Sequence, residues 1–513
     1  MTSFQHRGAN VLVDYRNQLS RCSADAGDHR PESREFDDTG ETMHKSDPPE
    51  TAGPEAFDLT SAVDKAPLSG RNLSTIAIAA MVVVLDGFDN QLLALSLAQI
   101  SEELNISRGS FSWIFAIGFL GLAIGAGFGG WLGDRIGRKP SIILAIVIFA
   151  GTTCLLATAQ NIMTIGVLRA ISGLGVGMVF PLVTALVAET SPLKYRSLAV
   201  AVSMVCVPIG SLAGGLVAAE ILPNQGWRFL FLVGGAVPLL FTVIVGLFLR
   251  ESVFILADRG RSSDLAKVRE RMAEFGHHLD ESTTVHAREN TTVERASVAA
   301  LLRPAIRRDS LALWGLFFLS MLGFYSFVSW GPTLFADAGF DAAFASRSIS
   351  VYNFGGIVMT IAAAAAISRF GTRRVLTVLA YGGGTTAAWL AFQGPNPASS
   401  SLVLIVQLIL LGAFFAGLQG TLYTLAAFVY PANVRSTGIG MSASVGRFGA
   451  ITASFAGAAL LAISSGALFV MLAVAGLAAG GLLIAVRRHS PPRLQASPSA
   501  APLDNVAAAE PKP

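Results

Sequence analysis

Two carboxylates stand inside an apolar stretch, in Leu85-Asp86-Gly87-Phe88-Asp89-Asn90-Gln91, with Ile76-Ala-Ile-Ala-Ala-Met-Val-Val-Val before it and Leu92-Leu-Ala-Leu-Ser-Leu after it. The run from about 73 to 100 is long enough to cross a bilayer as a helix. Each acid near its centre costs roughly 2.5–3.5 kcal/mol on the insertion scale, so such groups are retained for ion binding or proton relay. Asp86 and Asp89 are three apart and share one helical face, so both are expected to look into a common cavity. Two blander readings stay open: a surface turn mistaken for a span, or a buried pair that only holds helices together.

A proton relay needs a group that titrates within the membrane. All seven histidines (His6, His29, His44, His277, His278, His286 and His489) lie outside the apolar runs, and no Asp or Glu occurs between Ala342 and Leu503. The candidates are therefore Asp86 and Asp89, followed by Glu189 and Asp134 near the ends of their runs. Where the proton resides depends on burial and on neighbouring cations, and Arg169 is a cation able to come close. The pair would titrate as a coupled unit. A sodium site built from the same acids is the lower-ranked alternative.

The elements that carry these residues follow from composition. The chain has 513 residues, 52% hydrophobic and 14% charged, with mean hydropathy +0.57, where a soluble domain carries about 25% charged residues. That describes an all-α polytopic membrane protein. A net charge of +3 gives no reason to expect a nucleic-acid partner. Cys22, Cys154 and Cys206 form neither a disulfide framework nor a metal spacing. Apolar runs at about 73–100, 111–133, 139–159, 161–188, 197–220, 228–249, 310–335, 345–367, 373–393, 400–429, 438–463 and 466–486 predict twelve transmembrane helices. The expected organisation is a disordered tail 1–72 without a cleavable leader, a six-helix bundle 73–250, a linker 251–309 with short surface helices, a second bundle 310–487 and a disordered tail 488–513.

Basic residues gather at alternate helix ends: Arg135, Arg138 and Lys139; Lys194 and Arg196; Arg250 onward; Arg369, Arg373 and Arg374; Arg435; Arg487 and Arg488. The positive-inside rule then places both termini and the linker in the cytoplasm. An internal repeat supports two halves. Pro192-x-x-x-Arg196-Ser197 returns as Pro431-x-x-x-Arg435-Ser436, and Asp134-Arg-Ile-Gly-Arg-Lys139 returns as Ser368-Arg-Phe-Gly-Thr-Arg373. Parallel repeats around a midplane site are a transporter architecture.

Gly130-Trp-Leu-Gly-Asp134-Arg135-Ile-Gly137-Arg138-Lys139 is the most specific motif. Its glycines allow close helix approach, Asp134 can accept hydrogen bonds from a nearby helix N-terminus, and its arginines can pair with Asp134 or lipid phosphates. With Arg435 of the second half, such a cluster suits a cytoplasmic gate. On these residues, and on Arg169-x-x-x-Gly173-x-Gly175-x-Gly177, the stretch from about 73 to 487 resembles the major facilitator superfamily of transporters. Asp86-Gly-Phe-Asp89, Gly226-Trp-Arg and Glu251-Ser-x-Phe-Ile-Leu resemble its aromatic acid:proton symporter family, the transporters of benzoate and 4-hydroxybenzoate type. The resemblance implies uptake of a small aromatic carboxylate with a proton across a bacterial inner membrane. It also implies roles for Asp86 and Asp89 in uptake, for Asp134 and Arg138 in gating, and for Arg169 and Glu189 in coupling. In the second half Ser368 replaces the acid and Ala364 stands where Gly130 corresponds, so that gate is expected to be weaker. The drug-antiporter signature around Pro208 and the sugar-porter signature after helix twelve are absent.

An organic anion needs a positive partner, and arginine can grip a carboxylate with two donors. Arg169 and Arg447 are the candidates, Arg447 being equally suited to pairing helices. Phe88, Tyr325, Trp330, Tyr352 and Tyr423 could wall a slot for a ring. Asn90, Gln91, Asn353 and Gln419 could bond a ring hydroxyl or bridge helices. Trp330-Gly-Pro332 is expected to end helix seven with a kink. The expected partners are a small organic anion, a proton and the lipid bilayer; the proton is the coupling ion, with no further cofactor, and the chain acts as a monomer. A porter for another organic acid or metabolite, an exporter, and a membrane sensor that has lost transport remain alternatives. No metal motif, nucleophile elbow or Gly-x-x-x-x-Gly-Lys-Ser/Thr loop points to an enzyme or an ATP-driven pump.

Overall fold

The computed structural model describes residues 57–275, 277, 279, 285–286, 301–304, 306–397, 401–431 and 434–489. Helices one to four run Gly70–Glu103, Ser112–Ile136, Arg138–Leu156 and Ile162–Thr190. A single helical run, Leu193–Phe248, holds helices five and six. Its 56 residues would reach about 84 Å, far more than the roughly 30 Å of a bilayer core. It therefore has to turn back, and it does so at Gly226, whose φ of 75° lies in the left-handed region open to glycine. Helices seven to twelve run Arg307–Asp337, Ala342–Phe370, Thr372–Gln393, Ser401–Val429, Arg435–Leu461 and Ser465–Ala485. The twelve expected spans are thus present, with helices five and six joined more tightly than their polar junction suggested.

Short polar side chains set several starts. Ser69 Oγ accepts from Asn72 N at 3.1 Å, Asn161 Oδ1 from Thr164 N at 2.9 Å, and Asp341 Oδ1 from Phe344 N at 2.5 Å. Each satisfies an N–H that a helix start leaves without a partner. Helix seven departs from expectation. It runs through Pro332 to Asp337 instead of ending there, because the neighbouring halves hold it along its length.

The expected tail also needs correction. Its last residues are ordered: Phe57–Asp58 pairs in parallel with Val285–His286, and Asp58 caps a helix at Leu59–Lys65. Leu59 and Val63 bury against Val253, Leu256, Val268 and Met272 of two linker helices, Val253–Arg259 and Ser262–Glu274. Apolar burial orders the end of a segment that its polar composition marked as disordered. Residues 1–56 and 490–513 lie outside the described residues.

Helices two and four meet through a glycine ladder. A Cβ on Gly121, Gly125, Gly129 or Gly133 would strike Ala170, Leu174, Met178 or Leu182 respectively. The four-residue spacing keeps one face bare, which is what close approach needs. Gly130 is not part of it: a Cβ there meets nothing within 4 Å. The reason is angular, since Gly130 lies one residue, about 100°, off the stripe. Gly125→Ala is accordingly expected to destabilise the protein by about 1–3 kcal/mol, the usual cost of overpacking, while Gly130→Ala leaves the melting temperature unchanged. Thermal unfolding in detergent distinguishes the two.

The apolar core divides unequally. One cluster joins both halves at the end away from the linker, from Leu92, Phe115 and Trp227 to Trp330, Ile349 and Tyr352. At the basic end each half keeps its own cluster, around Ile142, Val179 and Leu182 in the first and Leu316, Leu376 and Leu422 in the second. Among the described residues, the polar bonds between halves (Gln91 to Val328, Ser350 to Leu212, Arg108 to Asp337, Arg347 to Glu220) all lie at mid-depth or toward the non-basic end. The molecule is closed at that end and divided at the other.

Candidate functional site

Helix one is fixed by close approach to helix five. A Cβ on Gly87 would overlap the Val207 carbonyl, one on Gly210 would overlap that of Val84, and Ser211 Oγ donates to Gly87 O at 3.1 Å. This contact turns Gly87 and Phe88 toward helices five and six, where Phe88 packs by Gly214 and Gly234. Asp86, Asp89 and Asn90 consequently face away from helix five.

Asp89 is completely buried. Arg169 Nη1 donates to its Oδ2 at 3.2 Å, Ser172 Oγ donates to the same oxygen at 3.3 Å, and the Thr153 hydroxyl donates to Oδ1. Arg169 Nη2 reaches the Asn90 backbone oxygen at 3.2 Å and Asn90 Oδ1 at 3.3 Å. A charge pair this deep holds only when its remaining hydrogen-bonding groups are also met, and these contacts meet them. Gly118 leaves room for the Arg169 stem, since a Cβ there would come 3.2 Å from its Cγ. Asp86, 6% exposed, is different: its Oδ1 has no hydrogen-bond partner. It lies one turn before Asn90, on the same face of helix one.

A small cavity opens beside this network. Arg169 and Asn90 give it polar lining, Phe115, Phe119 and Tyr325 form ring walls, and Ser329 faces it from helix seven. The Phe119 and Tyr325 rings meet edge to face at 4.7 Å. The expected common cavity for both acids is therefore corrected. Asp89 turns toward helices three and four, and Arg169 connects it to the space. Neither acid is among the cavity's lining residues.

The other sequence candidates divide clearly. Arg447 forms no ion pair among the described residues, its buried Nη1 has no hydrogen-bond partner, and it is not among the cavity's lining residues. Trp330 packs on Phe115, Tyr352 stacks on Phe327 at 4.6 Å, and Tyr423 packs edge-on to Phe317. These three belong to packing rather than to the cavity wall. Asn353 Nδ2 donates to Ile349 O of its own helix at 2.9 Å, and Gln419 accepts from Ser320 at 2.7 Å. Gln91 donates across to the other half. Asn90 alone of the four amides lines the cavity. Thr153, Ser172 and Ser329 carry no signal in the sequence that singles them out.

At the basic end Arg138 Nη2 pairs with Glu189 at 2.9 Å and with Asp134 at 2.7 Å. Glu189 therefore belongs to this cluster and not to the central network. Asp134 is 69% exposed along its side chain. The helix N-terminus that it was expected to cap is held by Glu251, which accepts from Arg138 N at 2.8 Å and Lys139 N at 3.3 Å. Glu251 follows helix six directly and reaches that N-terminus in one step, whereas Asp134 points outward. Gly137, with φ of 101°, makes the tight turn between helices two and three. Exposed Arg135 lies over Trp131 at 5.3 Å. The side chain of Arg435 lies outside the described residues. Glu251→Ala is expected to cost about 1 kcal/mol, the usual worth of a cap, and to lower the melting temperature while Asp134→Ala changes it less.

Two six-helix halves with a polar network and a cavity between them are the architecture of a transmembrane transporter. The Major Facilitator Superfamily model matches residues 79–454, and the chain belongs to that family. Its relatives include the gallate transporter of Pseudomonas putida, 30% identical over 86% of this chain and 97% of that one. The 4-hydroxybenzoate transporter PcaK of Pseudomonas putida is 29% identical over 84% and 96%. The gentisate transporter of Corynebacterium glutamicum is 31% identical over 80% and 86%. Among solved structures, the xylose transporter XylE from E. coli superposes with a TM-score of 0.64 at 17% identity, covering 82% of this chain and 97% of its own, which concerns the fold alone. The protein is a multi-pass membrane transporter and not an enzyme, and relatives of its kind carry aromatic acids.

Proposed function

We propose that the chain imports a small aromatic carboxylate together with a proton by alternating access, acting as a monomer in the bacterial inner membrane. The observation that carries this reading is the position of Arg169, shared between buried Asp89 and a cavity walled by aromatic rings. A substrate carboxylate entering that cavity competes with Asp89 for one guanidinium. Protonating Asp89 frees Arg169 for the substrate, so substrate and proton favour each other's binding, and linkage makes that effect reciprocal.

Arg447 supports the same reading from the second half. A guanidinium with a buried, unpartnered donor is costly, and a substrate carboxylate would meet that cost. Asp86, with one oxygen unpartnered, is the second protonatable group. The edges of Asn90 and Ser329 suit a ring hydroxyl. The relatives' substrates (gallate, 4-hydroxybenzoate and gentisate) are hydroxylated ring acids of this kind. The cluster of Asp134, Arg138 and Glu189 would act as the gate at the basic end, with Arg435 of the second half as its expected complement. The basic loops favour both termini on the cytoplasmic side.

The test is uptake of labelled gallate, 4-hydroxybenzoate, gentisate and an aliphatic acid into proteoliposomes, with parent protein and Arg447→Gln. Uptake restricted to ring acids and lowered at least tenfold by the substitution, mainly through KM, is expected. Uptake indifferent to the ring, or unaffected by Arg447→Gln, contradicts the substrate assignment.

A further inference from the structure

We propose that Gln91 and Pro332 form a latch that holds the two halves together just beside the cavity. In an uninterrupted helix the carbonyl of residue 328 accepts from the N–H four positions later. That position is Pro332, which has no N–H to give. Val328 O is therefore left without its donor inside helix seven. Gln91 of helix one supplies one: its Nε2 lies 2.9 Å from Val328 O. Gln91 is 1% exposed, so the bond is made away from water.

The other inter-half bonds lack this feature. Ser350 Oγ donates to Leu212 O at 2.9 Å, but residue 216 is a leucine and keeps its N–H for that carbonyl. The Arg347–Glu220 pair is exposed on both sides and contributes little. Among these contacts, Val328 is the carbonyl whose ordinary helical donor is missing, so separation of the halves removes the side chain that replaces it. The closed state then gains stability from Gln91, and opening is favourable there only when water enters to replace it.

The latch is also well placed. Asp89 faces the proton network, Asn90 faces Arg169 and the cavity, and Gln91 faces the other half, on three successive residues of helix one. Val328 itself lines the cavity. A small rotation of helix one on protonation or substrate binding reaches the latch directly. Gln91 is in this view a positioning residue for the conformational step. The inference rests on the fold and the closed end, not on the identity of the substrate.

The experiment uses purified full-length protein carrying Ser346→Cys, with Cys22 and Cys154 replaced. Ser346 is buried where helix eight meets helix five beside Gly215, so a thiol introduced there reacts only when that end opens. Native Cys206, buried within the first half, is the internal control for general loosening. The labelling rate is compared for Gln91→Leu, Pro332→Ala and the double variant. Gln91→Leu is expected to label the introduced thiol on the order of fivefold faster, what one buried hydrogen bond is worth, with Cys206 unchanged. Pro332→Ala restores the internal donor and is expected to speed labelling as well. In the Pro332→Ala background, Gln91→Leu should then add almost nothing, a non-additive cycle. Equal acceleration by Gln91→Leu in both backgrounds, or none in either, overturns the latch. Should Gln91→Leu not fold, Pro332→Ala decides alone: an unchanged labelling rate at the introduced thiol overturns it.

Discussion

Replacing Arg169 by alanine is expected to abolish transport and to destabilise the protein by about 3–5 kcal/mol, the usual result of removing one partner from a buried pair. The size follows from the position of Asp89, which is wholly enclosed and, among the described residues, has Arg169 as its one cationic partner. Without the guanidinium, the Thr153 and Ser172 hydroxyls remain, and neither carries charge. Arg169→Lys separates the two effects. A lysine keeps the charge for Asp89 but cannot hold Asp89 and Asn90 from one fork. It is expected to recover most of the lost stability while uptake stays at least tenfold below that of the parent. Melting temperature and uptake measured on the same preparations check this, and parallel recovery of both would mean that Arg169 has a structural role alone.

The second large effect is expected at Asp89→Asn. Asparagine imitates the protonated acid in shape and charge, so Arg169 is permanently released to the cavity. Accumulation driven by a proton gradient is expected to disappear, because the variant has no proton to carry at that position. Exchange of labelled for unlabelled substrate across the membrane is expected to persist, since exchange requires no net proton movement. Substrate affinity in the variant should also lose its dependence on pH. Loss of exchange and accumulation together, from correctly inserted protein, would mean that Asp89 serves folding or substrate contact instead of coupling.

Much of this arrangement is legible in the chain. Twelve apolar runs, with basic residues at alternate ends, are a strong signal because lipid offers backbone groups no alternative to helices. Asp86 and Asp89 are conspicuous because charge in an apolar run is costly. Their partners are not. Thr153 and Ser172 look like any hydroxyl that bonds its own helix backbone, and only the packing of helices one, three and four brings them to Asp89. The capping role expected of Asp134 falls to Glu251, because a contact between the ends of helices three and six depends on how the bundle closes. The glycine ladder at 121, 125, 129 and 133 is visible as a four-residue spacing, and that period, not the motif's first glycine, identifies the packed face. Pro332 is plain in sequence as well. Which side chain serves its missing hydrogen bond requires the register of two helices from different halves.

Proton movement on substrate addition separates proton symport through Asp89 from uncoupled entry. Proteoliposomes with no initial gradient, a pH-reporting dye inside and buffered 4-hydroxybenzoate or gentisate added outside would be compared for parent and Asp89→Asn. The parent is expected to acidify the interior well beyond empty liposomes, saturating with substrate, and Asp89→Asn to give no more than the empty-liposome signal. Carrier-mediated substrate entry without acidification in the parent, or equal acidification by the variant, would contradict proton symport through Asp89.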